Sequence, residues 1–184
     1  MKKVEPWAWQ AGRELSDCRV FKLRSDTFRS PKTGRDHDFY VLQTSDWVNV
    51  IPFTEAGELL LVRQYRFGRR QMSLEIPGGM VDLGEAPEAA AARELLEETG
   101  YAPRSLAPLG TIDSNPAILD NVTHSYLALG CEPKAATRFD STEDIELVKV
   151  PAARIDEMLR SGEIRHSLVV VAFLHWKLQG SPIR

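Results

Sequence analysis

A chain of 184 residues, 43% apolar and 27% charged, fits one water-soluble globular domain, or a core domain with a small extra sheet. Its 23 basic and 26 acidic side chains leave a net charge of −3, which provides no positive field for a nucleic-acid backbone; nucleic acid is excluded as the main partner, a nucleotide is not. Cys18 and Cys131 stand far apart in no metal-like spacing and read as free thiols in a reducing cytosol. The first ten residues lack the apolar run of a signal peptide, and the longest apolar run, Leu168 to Leu174, falls well short of the roughly 20 residues of a membrane helix. A soluble, cytoplasmic protein without a membrane partner is expected.

In chain order, the first third reads as strands and turns. Cys18–Leu23 alternates in part, Ser30-Pro31-Lys32-Thr33-Gly34 is turn chemistry, and Phe39–Thr44 is a second strand. Trp47–Phe53 follows, then a hairpin through Glu55-Ala56-Gly57, then the apolar Leu59–Val62 running into Arg63-Gln64-Tyr65-Arg66. Pro87–Thr99 is predicted helical, with proline in its first turn, an alanine run, and Gly100 where a C-terminal cap belongs. Two or three strands fit between Leu106 and Val150, and two helices, Ala152–Arg160 and Ser167–Leu178, close the chain. Strands, a central helix, more strands and terminal helices predict an α+β layer structure rather than a doubly wound sheet.

The central helix carries the chemistry. With Glu94 at zero on a helical wheel, Glu98 falls near ~40° and Glu97 near ~−60°, so three carboxylates crowd one face. Ala89, Ala92 and Leu96 lie opposite and form the expected packing stripe. Like charges at i,i+4 weaken a helix by a few tenths of a kcal/mol, so the Glu94–Glu98 pair costs stability unless a cation lies between them. Clustered hard oxygen ligands suit Mg²⁺ or Mn²⁺ shared with substrate phosphates. The plain alternative is a solvated acidic face with Arg93 paired to Glu97 at i,i+4. Just ahead, Ile76-Pro77-Gly78-Gly79 lets backbone approach a ligand.

Gly79, five residues, Glu85, seven residues, then Arg93-Glu94-Leu95-Leu96-Glu97-Glu98-Thr99-Gly100-Tyr101 resembles the Nudix box, with every specified position met when Tyr101 is taken as the final bulky apolar residue. The resemblance implies an α/β/α sandwich with a mixed sheet, here preceded by a small N-terminal antiparallel sheet. It implies a metal-dependent hydrolase of a P–O–P bridge using two or three Mg²⁺ ions (Mn²⁺ being the alternative). By position, Glu94 and Glu98 would be the main metal ligands. Glu97 would help, the Gly78 carbonyl would be a further ligand, and Glu85 would brace the loop or join the metal shell. The plain alternative for Glu85 is that it does no more than favour the helix N-terminus through the macrodipole. Arg93 would orient the glutamates.

The flanks resemble the branch of this family that hydrolyses ADP-ribose and other nucleoside diphosphate sugars. Pro116, sixteen residues past Gly100, matches a proline common in that branch, as do Val62-Arg63-Gln64-Tyr65-Arg66 and Leu74-Glu75-Ile76-Pro77-Gly78-Gly79. Arg66, ahead of Arg63, Arg69 and Arg70, is the expected phosphate contact, with Gly79, Met80 and Pro116 bordering the substrate. That branch forms homodimers through an N-terminal strand domain, which places residues 1–45 as a dimerisation element before a hydrolase domain at 46–184. Trp7, Trp9, Phe28 and Trp47 are candidates to stack on the base. Glu143, then Glu146 and Asp140, is the expected catalytic base, with Glu97 as the alternative. A diadenosine polyphosphate or nucleoside triphosphate hydrolase and a non-catalytic nucleotide-sugar sensor are the competing readings.

Overall fold

Alternation along three apolar strands decides the architecture. In the computed structural model, which describes residues 3–138 and 144–180, these are β4 (Trp47–Thr54), β5 (Glu58–Arg66) and β10 (Val122–Pro133). Val48, Val50, Leu60, Tyr126 and Ala128 face one side and pack against the buried Ala90, Ala91 and Leu95 of helix α1 (Pro87–Thr99). Ile51, Phe53, Leu59, Leu61 and Leu127 face the other, against Ile155 and Met158 of α2 (Ile155–Ser161) and Phe173 and Trp176 of α3 (Ser167–Leu178). Side chains in a strand alternate sides, so each strand feeds two cores and the result is an α/β/α sandwich.

The central sheet runs β11 (Ile145–Pro151), β5, β4, β10, β8 (Tyr101–Ala102). β6 (Gln71–Glu75) pairs with β5, β7 (Gly78–Met80) with β4, and β9 (Ser105–Asp113) with β10. β4 and β10 are parallel, whereas β4 and β5, β5 and β6, and β5 and β11 are antiparallel, so the sheet is mixed.

Contacts divide the chain into two units, Met1–Ser45 with Asp113–Asn121, and Asp46–Ile112 with Val122–Arg184. The first holds a three-stranded antiparallel sheet of β1 (Ala8–Asp17), β2 (Lys22–Arg29) and β3 (Asp36–Gln43). The 113–121 segment is tied to the end of β3: Leu42 N–H donates to Ile118 O at 2.8 Å and Asn121 Nδ2 to Ser45 O at 3.0 Å.

The structure corrects three expectations. The strand expected at Cys18–Leu23 straddles a turn in which Cys18 N–H donates to Phe21 O and Arg19 takes φ +68°. β1, which precedes it, is exposed along its whole length and so carries no period-two burial signal. The packing stripe of α1 is also on the opposite side from the one expected: Ala90, Ala91, Leu95 and Glu98 are buried while Ala89 is exposed. The helix therefore turns Glu98 toward the sheet. The closing helix at Ala152–Arg160 begins as a 3-10 turn, Ala152–Arg154, before α2 proper.

Candidate active site

Backbone pairing sets the site. β7 lies along β4 with Trp47 opposite Met80, Val48 opposite Gly79 and Asn49 opposite Gly78. Val50 N–H donates to Pro77 O and Val81 N–H to Asp46 O, both at 2.9 Å, which fastens the loop at each end. Glycine is needed at 78, where a Cβ would strike backbone, whereas a side chain at 79 would have to displace the Glu94 carboxylate. A Cβ on Gly78 would lie 2.9 Å from Asn49 Cα, and one on Gly79 would lie 2.5 Å from the carboxyl carbon of Glu94.

The helix then presents its acids to that loop. Glu98, 4% exposed, accepts from Gly78 N–H at 3.0 Å. The Arg93 guanidinium spends all five of its N–H donors locally. It grips Glu85 through Nε (2.9 Å) and Nη2 (2.8 Å), and donates to Met80 O (3.0 Å), Glu94 (2.8 Å) and Glu97 (3.2 Å). Three carboxylates are thus gathered by one planar cation, a task for which arginine's fork is suited and lysine's point charge is not. Hydrogen bonding to Arg93 holds the Glu85 carboxyl below its ordinary range, against the opposing effect of burial. Hydrogen bonding to Glu85 in turn raises the Arg93 pKa.

Among the described residues no three His, Cys, Asp or Glu side chains form a ready-made metal cage. The donor chemistry nonetheless fits a hard divalent cation. Glu94 abuts Gly79, Glu98 binds Gly78 N–H, and every candidate ligand atom is a carboxylate or carbonyl oxygen.

A cavity of about 310 Å³ opens beside the same two glycines, bounded by Trp47, Asn49, Arg66, Glu75 and His166. Glu75 is 3% exposed and receives a bidentate grip from Arg66, Nε to Oε1 at 2.9 Å and Nη2 to Oε2 at 2.6 Å. Burial pushes the Glu75 carboxyl up, but the Arg66 hydrogen bonds and charge, with the His166 charge and a Ser73 hydrogen bond, bring it below the ordinary carboxylate range.

The structure thus brings together Gly78, Gly79, Met80, Glu85, Arg93, Glu94, Glu97 and Glu98, and places Trp47 and Arg66 around the cavity. Arg63 pairs instead with the exposed Glu146 at 3.0 Å, and Arg69 and Arg70 are exposed at the tip of the β5–β6 hairpin. Trp7, Trp9, Phe28 and Pro116 belong to the first unit. There Trp7 and Phe28 each pack edge-on against Phe39, and Pro116 lies in an exposed turn. Asp140 and Glu143 lie outside the described residues. Sequence reasoning overlooked Asn49, Glu75 and His166. For Glu75 the signal was an acid between Leu74 and Ile76 in an apolar run; the other two carried none.

Residues 44–169 match the NUDIX domain family model. The ADP-ribose pyrophosphatase of Bacillus subtilis is 29% identical over 170 residues, 92% of this chain and 91% of its own. The methanol dehydrogenase activator of Bacillus methanolicus is 30% identical over 167 residues, 90% of each chain. A solved structure of an ADP compounds hydrolase shares the fold with a TM-score of 0.84 at 22% identity, covering 98% of this chain and 99% of that one.

Proposed function

The chain belongs to the NUDIX domain family, and from that membership we propose that it hydrolyses the pyrophosphate bond of ADP-ribose or a related nucleoside diphosphate sugar. The products are a nucleoside monophosphate and a sugar phosphate. The observation that carries the reading is the Arg93-centred acid cluster abutting the Gly78–Gly79 loop, next to a cavity that also holds Arg66. A full-length likeness to the B. subtilis ADP-ribose pyrophosphatase supports the substrate class.

In this reading Glu94 and Glu98, with Glu97, Glu85 and the Gly78 carbonyl, hold two or three Mg²⁺ ions, Mn²⁺ serving as a substitute. When bound, the metal neutralises phosphate charge and lowers the pKa of the attacking water. Arg93 keeps the glutamates in register. Arg66, steadied by Glu75, offers its charge to the substrate phosphates, and Glu143 or Glu97 accepts the water's proton. The protein acts in the cytoplasm as a homodimer, and one aromatic side chain among Trp7, Trp9, Phe28 and Trp47 stacks on the base.

The test is Glu98→Gln, which retains an acceptor for Gly78 N–H but removes the charge. Turnover in Mg²⁺ should fall about a hundredfold or more, with the circular dichroism spectrum unchanged. A Glu98→Gln protein of native activity would remove Glu98 from the metal set.

A further inference from the structure

A run of hydrogen bonds that starts outside the Gly79–Tyr101 segment ends on the glycine loop. Thr111 of β9 and His124 of β10 meet at 3.1 Å between Oγ1 and Nδ1, and His124 Nε2 meets Asp46 Oδ2 at 3.3 Å. Asp46, the residue before β4, accepts from Val122 N–H at 3.0 Å through its other carboxylate oxygen. Its main-chain carbonyl accepts from Val81 N–H at 2.9 Å, one of the two bonds that fasten the loop. β9 pairs with β10, β10 with β4 and β4 with β7, so the run crosses the sheet from β9 to the end of β7.

The groups fix the direction of each bond. A carboxylate only accepts, so Nε2 carries a proton and donates to Asp46. In the neutral ring Nδ1 accepts from the Thr111 hydroxyl; in the imidazolium Nδ1 donates and the hydroxyl, able to do either, accepts. His124 keeps both contacts in both protonation states. Its side chain is 22% exposed and that of Asp46 43%, so the ring is the fixed member and the carboxylate the one it steadies.

The leverage on the site comes from β7. It is three residues long and pairs with β4 alone among the described strands. So short and glycine-rich a ladder specifies its register weakly, and the flanking bonds, Val50 to Pro77 and Val81 to Asp46, decide where Gly78 and Gly79 stand. Glu98 accepts from Gly78 N–H and Glu94 abuts Gly79, so a shift of this loop is a shift of the candidate metal ligands. The geometry points to His124 and Asp46 as positioning residues for the metal site; the inference rests on the assignment of Glu94 and Glu98 above. The imidazole holds the carboxylate, the carboxylate ties the start of β10 to that of β4, and the Asp46 carbonyl holds the exit of the loop.

The experiment measures Mn²⁺ binding without substrate, by electron paramagnetic resonance of the free ion, and hydrogen exchange of the peptide containing Val81. The proteins are the native chain, His124→Leu, His124→Gln, Asp46→Asn and Glu98→Gln. In His124→Leu the Kd for Mn²⁺ should rise about tenfold and Val81 N–H should exchange about tenfold faster. Both should return most of the way in His124→Gln, whose amide nitrogen can still donate to Asp46. Asp46→Asn is isosteric and offers one acceptor where the carboxylate offers two; it should raise Kd about threefold and keeps the test decisive where His124→Leu fails to fold. A pair that served stability alone would lower the urea midpoint and leave the Kd of the folded protein unchanged. That result, or faster Val81 exchange at native Kd, would overturn the positioning role while leaving the metal assignment intact. Native Mn²⁺ affinity in Glu98→Gln would overturn the metal assignment and the positioning role with it.

Discussion

At the scale of residues, the site depends on how two arginines are occupied. Arg93 divides its donors among Glu85, Glu94, Glu97 and the Met80 carbonyl, so it acts by holding acids in place. Arg66 divides its grip between a buried acid and a cavity, which leaves it placed to meet an anion. The close approach of Gly79 to Glu94 makes a sharp prediction. Gly79→Ala forces that carboxylate aside, so the Mg²⁺ concentration giving half-maximal activity should rise about tenfold or more, as read by metal titration. An unchanged titration would show that Glu94 does not need its present position. Glu75 supplies a pH test. Because its native pKa lies below the ordinary range, the unfolded chain takes up the proton first as pH falls, near about pH 4.3. Stability from the Arg66–Glu75 pair is therefore complete above that pH and is lost as pH drops through the native value. Thermal unfolding followed across that acid range should show a steeper fall in Tm for the native protein than for Glu75→Gln; parallel curves would contradict the assignment. Arg93 and Glu97 stand four apart on one helix, so their contact was legible from spacing alone. The Arg66–Glu75 pair was not, because it depends on the β5–β6 register that only the folded hairpin supplies.

At the scale of elements, α1 is the hinge between local and tertiary information. Its bounds were written in the chain: Pro87 opens it, and Gly100 closes it at φ +76° with its N–H donating to Leu96 O at 2.8 Å. Its orientation was not. Sorting the helix into polar and apolar faces puts every glutamate outward, whereas Glu98 accepts a hydrogen bond from Gly78 N–H beside the core. One backbone donor on another strand thus reverses the apparent amphipathicity, and no wheel contains that donor. β1 was missed for the converse reason, since a strand exposed on both faces needs no alternation. The helix cap is testable by itself. Gly100→Ala places a Cβ in left-handed backbone, 2.5 Å from Ala135 O, and should cost about 1–2 kcal/mol or more. Urea unfolding should show a lowered midpoint at unchanged slope. A midpoint equal to the native one would mean that the helix end relaxes freely.

At the scale of the molecule, one mixed sheet with helices on both faces does two jobs. It buries the apolar halves of β4, β5 and β10 in two cores, and it lets a parallel β4–β10 pair carry β7 and its glycines to the acid face of α1. The order of strands and helices was enough to read an α+β layer structure, and the α/β/α sandwich came from the family resemblance. Strands buried on both faces are near-continuously apolar and do not tell which residue faces which core. The division of the chain into two units was less legible, since Asp113–Asn121 joins the first through hydrogen bonds to residues some 76 positions away. None of the described helices is long and apolar enough to cross a membrane. The central claim is the chemistry of one bond, and product analysis tests it most directly. Purified protein with Mg²⁺ is incubated with ADP-ribose, other nucleoside diphosphate sugars, diadenosine polyphosphates and nucleoside triphosphates, and the products are separated by chromatography. AMP and ribose 5-phosphate are the expected products from ADP-ribose, with all turnover abolished by a chelator; turnover of triphosphates together with failure of every diphosphate sugar would contradict the nucleotide-sugar assignment.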